Sequence, residues 1–403
     1  MRKFLGALMV ASLLVAPINA IAAVKAGDAC KKAGSTATVN GKKFTCVKSG
    51  KKLVWNKGVV VTKPKPEPVV TPPVTPSPKP SATASPTPTN SPQPIVEKAP
   101  SGFDDLVENF RGVYVGVWNS SNSKIEANAP VDVSQNILVG PNSKLPSEEV
   151  PIMFSRGTRF FAGYAQPKKF NVLYYSFEDI KWAEETVFSL YKNSEDVKQI
   201  SRNCQSVQRC NGANAGMAQI DIGHGNFAVD KNAKDPYHLK GGLEIHEYAH
   251  MVQFMQFQGK PTQRMGGGAG LIPNWFLEGH AHLAGNVGSA RTLADYKTFR
   301  SFWLNATADG LPGYSPESIQ SFYDKLAPGK FDPSVQSNVY SIGYFSVEAL
   351  ASLKGVDSPI EVIKQISDGS TWEEAFLKVY GITWNEAAPI LAKTVSRMFL
   401  ERY

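Results

Sequence analysis

The 403-residue sequence predicts an α+β architecture: a mixed sheet lobe followed by a mainly helical lobe, with a small β-rich disulfide module in front. Three observations carry this. Strand-like runs of β-branched and aromatic residues fall before residue 235, helix-like segments dominate after residue 240, and a proline-rich stretch separates the front of the chain from the rest. An apolar fraction of 42% with 19% charged residues excludes a wholly disordered chain, and the one long apolar run lies at the extreme N-terminus, which excludes a multi-span membrane protein.

Met1-Arg2-Lys3 leads into an apolar stretch from Phe4 to Ala16, broken by Pro17 and followed by Ala20, Ala22 and Ala23. A basic start, a short apolar run and a small-residue end predict a secretory signal peptide over residues 1–23. The run is too short to span a bilayer comfortably. A secreted or cell-wall-associated location is therefore expected, and four cysteines suit an oxidising compartment. The formal charge of +8 is unevenly spread. Residues 24–100 carry thirteen lysines against Asp28, Glu67 and Glu97, a net +10; Arg2 and Lys3 add two, which leaves −4 for residues 101–403. Nucleic-acid binding by the large region is thereby disfavoured.

Residues 24–61 read as a small lysine-rich module, with Phe44-Thr45-Cys46-Val47 and Leu53-Val54-Trp55 as strands about a turn at Gly50-Lys51-Lys52. The cysteines pair locally by position, Cys30 with Cys46 and Cys204 with Cys210, and neither pair has the spacing of a zinc knuckle. The module resembles the small Cys-Gly-Lys units at the front of exported actinobacterial proteins. Its lysines suit contact with an anionic wall polymer or membrane surface, or simply a solvated cap. Residues 62–100 hold thirteen of the twenty-eight prolines, a composition that stays extended and acts as a stalk.

Residues 101–403 have a globular texture. Phe170-Asn-Val-Leu-Tyr-Tyr-Ser176 is a strand candidate running into a helix from Phe177 to Tyr191, with Ser176 as its N-cap. Met217-Ala-Gln-Ile-Asp-Ile222 alternates like a half-buried strand. Thr371-x-x-Glu374 and Thr383-x-x-Glu386 are capping-box signatures that open two of the last helices.

The chemistry is concentrated in Leu243-Glu244-Ile245-His246-Glu247-Tyr248-Ala249-His250-Met251-Val252-Gln253-Phe254, which reads as a helix. The i, i+4 spacing stacks His246 and His250 about 6 Å apart at Cβ. Both imidazoles then reach one ion at about 2.0–2.1 Å. Glu247 lies one residue round, where it can face a water without binding the metal, as a general base must. A catalytic zinc takes three protein ligands and keeps one position open. Gln253 and Gln256 stand where the metzincin pattern has Gly and His. Instead Glu278, on the helix-like segment 273–282 beyond Gly266-Gly267-Gly268, offers a carboxylate to complete a His–His–Glu set. His282 shares the face of Glu278 and is the alternative third ligand, or else a partner of the ligands. His280 points elsewhere and is expected at the surface or the substrate rim. His224 lies between Gly223 and Gly225 after the predicted strand, as a turn residue or as part of a cleft wall approached closely by backbone.

His246-Glu-Tyr-Ala-His250 followed by Trp275-Phe-Leu-Glu278-Gly-His-Ala281 resembles the gluzincins, zinc metallopeptidases whose third ligand lies in an E-G-x-A-bearing helix, and among them the peptidase-MA-like group. The likeness is strong over about forty residues and vaguer through Tyr340-Ser-Ile-Gly343-Tyr344. It implies a zincin-like catalytic domain over residues 101–403, Zn2+ as cofactor, His246, His250 and Glu278 as ligands, and Glu247 as catalytic base. It further implies an oxyanion-stabilising side chain, for which Tyr340 is the candidate, with Tyr344 and His224 behind it. At position 282 the sequence departs from thermolysin-like members, which carry an aspartate there. The resulting expectation is an exported zinc metallopeptidase acting on a peptide or protein. The alternatives are a wall-attached binding protein with an inactive zincin fold, and a zinc amidase acting on wall peptides.

Overall fold

The computed structural model describes residues 25–30, 33, 35–39, 42–50, 52–57, 59–60, 97–145, 150–229, 236–262 and 270–401. The predicted signal peptide and residues 62–96 of the predicted stalk lie outside them. The chain forms two compact units, within Met1–Thr89 and Asn90–Tyr403.

In the first unit, β1 (Thr36–Val39), β2 (Lys42–Ser49) and β3 (Lys52–Trp55) form an antiparallel meander, and β4 (Val59–Val60) pairs with β2. The two predicted strands are thus β2 and β3, joined at Gly50. Ala29 bridges Val54, and the Cys30–Cys46 disulfide ties this leading segment to β2. Among the described residues of this unit, Phe44 and Cys46 are the buried apolar ones. A bridge closing a loop of this length contributes about 3 kcal/mol, a large share of what such a unit needs.

The second unit begins before its predicted boundary. Glu97 accepts a hydrogen bond from Tyr114 and pairs with Lys297, and Pro100 is buried, so the end of the proline-rich stretch is docked. After α1 (Phe103–Leu106) and α2 (Val113–Ala127) come β5 (Ser134–Val139), α3 (Val150–Phe160) and β6 (Lys169–Tyr175). Ser176 then caps a short 3-10 turn that continues as α4 (Ile180–Tyr191). Next follow α5 (Ser194–Asn203), the hairpin β7 (Cys204–Ser206) and β8 (Arg209–Cys210) pinned by Cys204–Cys210, then β9 (Ala213–Gln219) and β10 (Ile222–Ala228). The sheet order is β5-β6-β10-β9, parallel except for β9, which runs antiparallel to β10 at the edge.

The segment expected as one strand over 217–222 is a hairpin turn instead. Asp221 takes a left-handed φ of 64°, and Ile220 is 76% exposed. The apparent alternation came from residues on two different strands, and the turn is one that Asp tolerates better than most side chains.

The helical part comprises α6 (Pro236–Leu239), α7 (Gly242–Met255), α8 (Asn274–Ser289), α9 (Leu293–Leu304), α10 (Pro316–Lys325), α11 (Ile342–Lys354), α12 (Ser358–Ser367), α13 (Trp372–Tyr380) and α14 (Trp384–Leu400). Thr371 and Thr383 cap α13 and α14 through Oγ1, and Glu374 and Glu386 reach back to the cap N–H groups, as the sequence predicts. One continuous core joins both parts: Phe170, Val172, Tyr174 and Phe227 from the sheet belong to the same cluster as Trp275, Phe345 and Trp372 from the helices. The opposite sheet face packs Leu173, Tyr175 and Ala228 against Ala183, Val187 and Ile200.

Two close approaches position the helices. On β10, Gly223 leaves room for Met251 of α7; an added Cβ would fall 2.8 Å from its sulfur. Between α8 and α11, a Cβ on Gly279 would sit 2.4 Å from the Gly343 carbonyl oxygen, and one on Gly343 would sit 2.7 Å from that of Trp275. Backbone cannot yield as a flexible side chain can. Gly343→Ala is therefore expected to lower unfolding free energy by about 1–3 kcal/mol in a urea titration. An unchanged midpoint would show that these helices are not held at backbone contact.

Candidate metal centre

α7 and α8 pack against each other over most of their length and supply the polar groups of the site. His246, Glu247 and His250 project from α7, and Glu278 from the start of α8. His246 Nε2 lies 3.1 Å from His250 Nε2 and 3.4 Å from Glu278 Oε2, and His250 Nε2 lies 3.5 Å from the same oxygen. Among the described residues this is the group of three whose ligand atoms come close enough to hold one metal ion. A tetrahedral ion with bonds of about 2.0–2.1 Å needs ligand atoms about 3.3–3.4 Å apart. The three edges match that requirement, so the donors fit a zinc-sized ion.

The far side of each imidazole is also held. His250 Nδ1 is 2.9 Å from Gln253 Oε1, and His246 Nδ1 is 3.3 Å from His282 Nδ1. His282 is thus behind His246, not beside it, and Glu278 fills the third corner. Burial first, and then the neighbouring His246, pull the pKa of His282 well below the usual histidine range. Tyr237, to which the sequence assigned nothing, stacks on His282 with its hydroxyl 3.3 Å from the same Nδ1. Sequence pattern alone gives no signal for Tyr237 or Gln253, because their roles depend on which helices face each other.

Three expectations require correction. His280, placed at the surface or rim by the sequence, is fully buried against Phe161, where burial pulls its pKa down to about 3. His224 is inside β10, not after a strand, and is buried on the sheet face away from the metal helix, stacked on Tyr191 with Nε2 3.5 Å from Asp196. Its glycine neighbours accommodate Met251, Phe170 and Phe227, not an incoming backbone. Tyr344 is fully buried with its hydroxyl 3.2 Å from that of Tyr296, so it is not a wall of the site.

A cleft of about 550 Å³ opens over the group. Glu247, Tyr340, Phe254 and Lys330 line it, as do Ala213, Asn214 and Ala215 of the edge strand β9. Tyr340 is 39% exposed, with its ring centroid 6.1 Å from that of His246. Burial raises the pKa of Glu247, partly offset by His246 and His250. The negative charge of Glu278, followed by burial, raises that of Tyr340, which keeps its hydroxyl protonated as a donor.

In the metal-free chain, burial disfavours the charged form of both His250 and Glu278, but their mutual attraction outweighs it. The pKa of His250 is raised to about 9 and that of Glu278 is lowered. An unfolded histidine titrates near about 6.5. The stabilisation from the His250 proton is complete below that value and disappears as pH rises through the folded one. Metal-free protein is therefore expected to lose unfolding free energy between about pH 6.5 and 9, and zinc-loaded protein to lose much less, because the ion then occupies the proton's place. A flat metal-free profile in chemical denaturation would contradict the pairing. No family model matches the sequence, and no curated protein or solved structure is significantly similar to it.

Proposed function

We propose that this chain is an exported zinc-dependent metallopeptidase with a zincin-like fold in its second unit. The observation that carries the reading is the near-equilateral donor triangle of His246, His250 and Glu278, with a second carboxylate, Glu247, beside it in the cleft. A structural metal site has no use for that second carboxylate, and it tells against the inactive-binder alternative. The resemblance of the two helical segments to gluzincins points the same way.

Zinc, when bound, would supply Lewis acidity toward the scissile carbonyl and the attacking water. Glu247 takes the proton from that water and hands it to the leaving amine. The upward shift of its pKa by burial suits this exchange, since it makes the carboxylate a stronger base toward the water. Tyr340 donates its hydroxyl to the oxygen that gains charge, a role that requires the protonated state described above. The edge strand β9 borders the cleft with its outer backbone groups unpaired within the sheet, a surface suited to an extended peptide.

Export is supported by the basic and apolar N-terminus and by two disulfides with no free cysteine among the described residues. No helix of the described residues is long and apolar enough to cross a membrane. In the first unit Lys25, Lys42, Lys48, Lys52 and Lys57 are all solvent-exposed, which supports contact with an anionic wall or membrane surface.

Glu247→Gln is expected to bind zinc at the parent stoichiometry while peptide hydrolysis falls by about 10²–10⁴. Tyr340→Phe is expected to lose about 10²-fold or more in kcat with little change in KM. The measurement is turnover of a quenched peptide library beside metal analysis. Parent-like hydrolysis by Glu247→Gln would remove the proposed base, and activity confined to wall-derived amides would move the reading to the amidase.

A further inference from the structure

One buried amide bridges the two ligand-bearing helices, and we infer that Gln253 is the positioning residue for both His250 and Glu278. This rests on the metal-centre reading above. Gln253 is 1% exposed, one turn beyond His250 on α7. Its Nε2 lies 2.9 Å from the Leu277 carbonyl oxygen, which can only accept. That atom is therefore the NH2 group, and its second proton goes to His280 Nδ1 at 3.0 Å. The amide oxygen is left facing His250 Nδ1 at 2.9 Å. Since this oxygen only accepts, His250 carries a proton on Nδ1, and its Nε2 faces His246 and Glu278.

The same amide therefore does two things. It fixes the tautomer and ring orientation of His250, and it holds the carbonyl of Leu277, the residue directly before Glu278. His280 serves as the end of the chain, an acceptor that fixes which way the amide faces; this explains why a histidine so near the ligands is buried and turned away from the cleft. Gln253 is uncharged, as is the hydrogen-bond partner of His246, so Glu278 and Glu247 are the only anionic side chains in contact with the ligand set or lining the cleft among the described residues.

The test is the zinc dissociation constant of the full secreted chain, measured by competition with a chromogenic chelator, together with the visible spectrum of the cobalt(II) form. Gln253→Leu keeps the side-chain volume and removes the hydrogen bonds. Tyr323→Phe, which removes an equally buried hydrogen bond to Ser346 away from the ligands, is the control. Gln253→Leu is expected to bind zinc about 10–100-fold more weakly than the parent, with a displaced cobalt spectrum, while the control stays within about twofold. Gln253→Met carries the same expectation if the leucine variant does not fold. Parent-like zinc affinity and an unchanged cobalt spectrum in a folded Gln253 variant would overturn the inference alone. A parent that binds no zinc or cobalt would overturn it together with the metal-centre reading.

Discussion

Two histidines and two glutamates drawn out of water between one pair of helices set the terms for the rest of this fold. Each charge buried in a protein interior costs several kcal/mol unless a partner of opposite sign or a set of hydrogen bonds offsets it. Here the offset is local. His250 and Glu278 hold each other's charges, Gln253 and His282 occupy the outer imidazole nitrogens, and an ion of the right size would complete the arrangement. Such a cluster is stable only if the two helices keep their spacing closely, because misplacing one donor leaves the others buried and unpaired.

The spacing comes from the apolar framework around the site. α8 is held on one side by backbone contact with α11 through Gly279 and Gly343, and on the other by α7, which is seated on the sheet through Met251 over Gly223. Trp275, Phe276, Trp372, Phe376 and Trp384 fill the space behind the metal helices with edge-to-face and stacked contacts. None of these five rings lines the cleft. Their packing makes the ligand geometry a property of a rigid core and not of a loop, which is what a preorganised centre requires.

The front of the chain follows a different logic. Among its described residues Phe44 and Cys46 are the buried apolar ones, the Cys30–Cys46 disulfide ties the leading segment to β2, and Lys25, Lys42, Lys48, Lys52 and Lys57 are exposed. In the sequence the proline-rich stretch lies between a basic front and a mildly acidic remainder, and its last residues dock on α2 through Glu97.

Local physics made much of this legible from the sequence. The i, i+4 spacing of His246 and His250 on one helix fixes their common face, with Glu247 one residue round, whatever the surroundings. Capping at Thr371 and Thr383, the strand expected over 170–176 and found at Lys169–Tyr175, and the two cysteine pairings are decided by nearby sequence. Choosing Glu278 over His282 could not be local, because both share a helix face and only the angle of α8 against α7 decides which reaches the ion. The hairpin at 220–221 was hidden because residues on two antiparallel strands mimic a single alternation. Burial of His224 and His280 likewise depended on partners distant in sequence. A histidine's neighbours in the chain say little about whether it meets water, a sheet or a metal, and the roles of Gln253 and Tyr237 exist only once tertiary packing has brought separate helices within hydrogen-bonding distance.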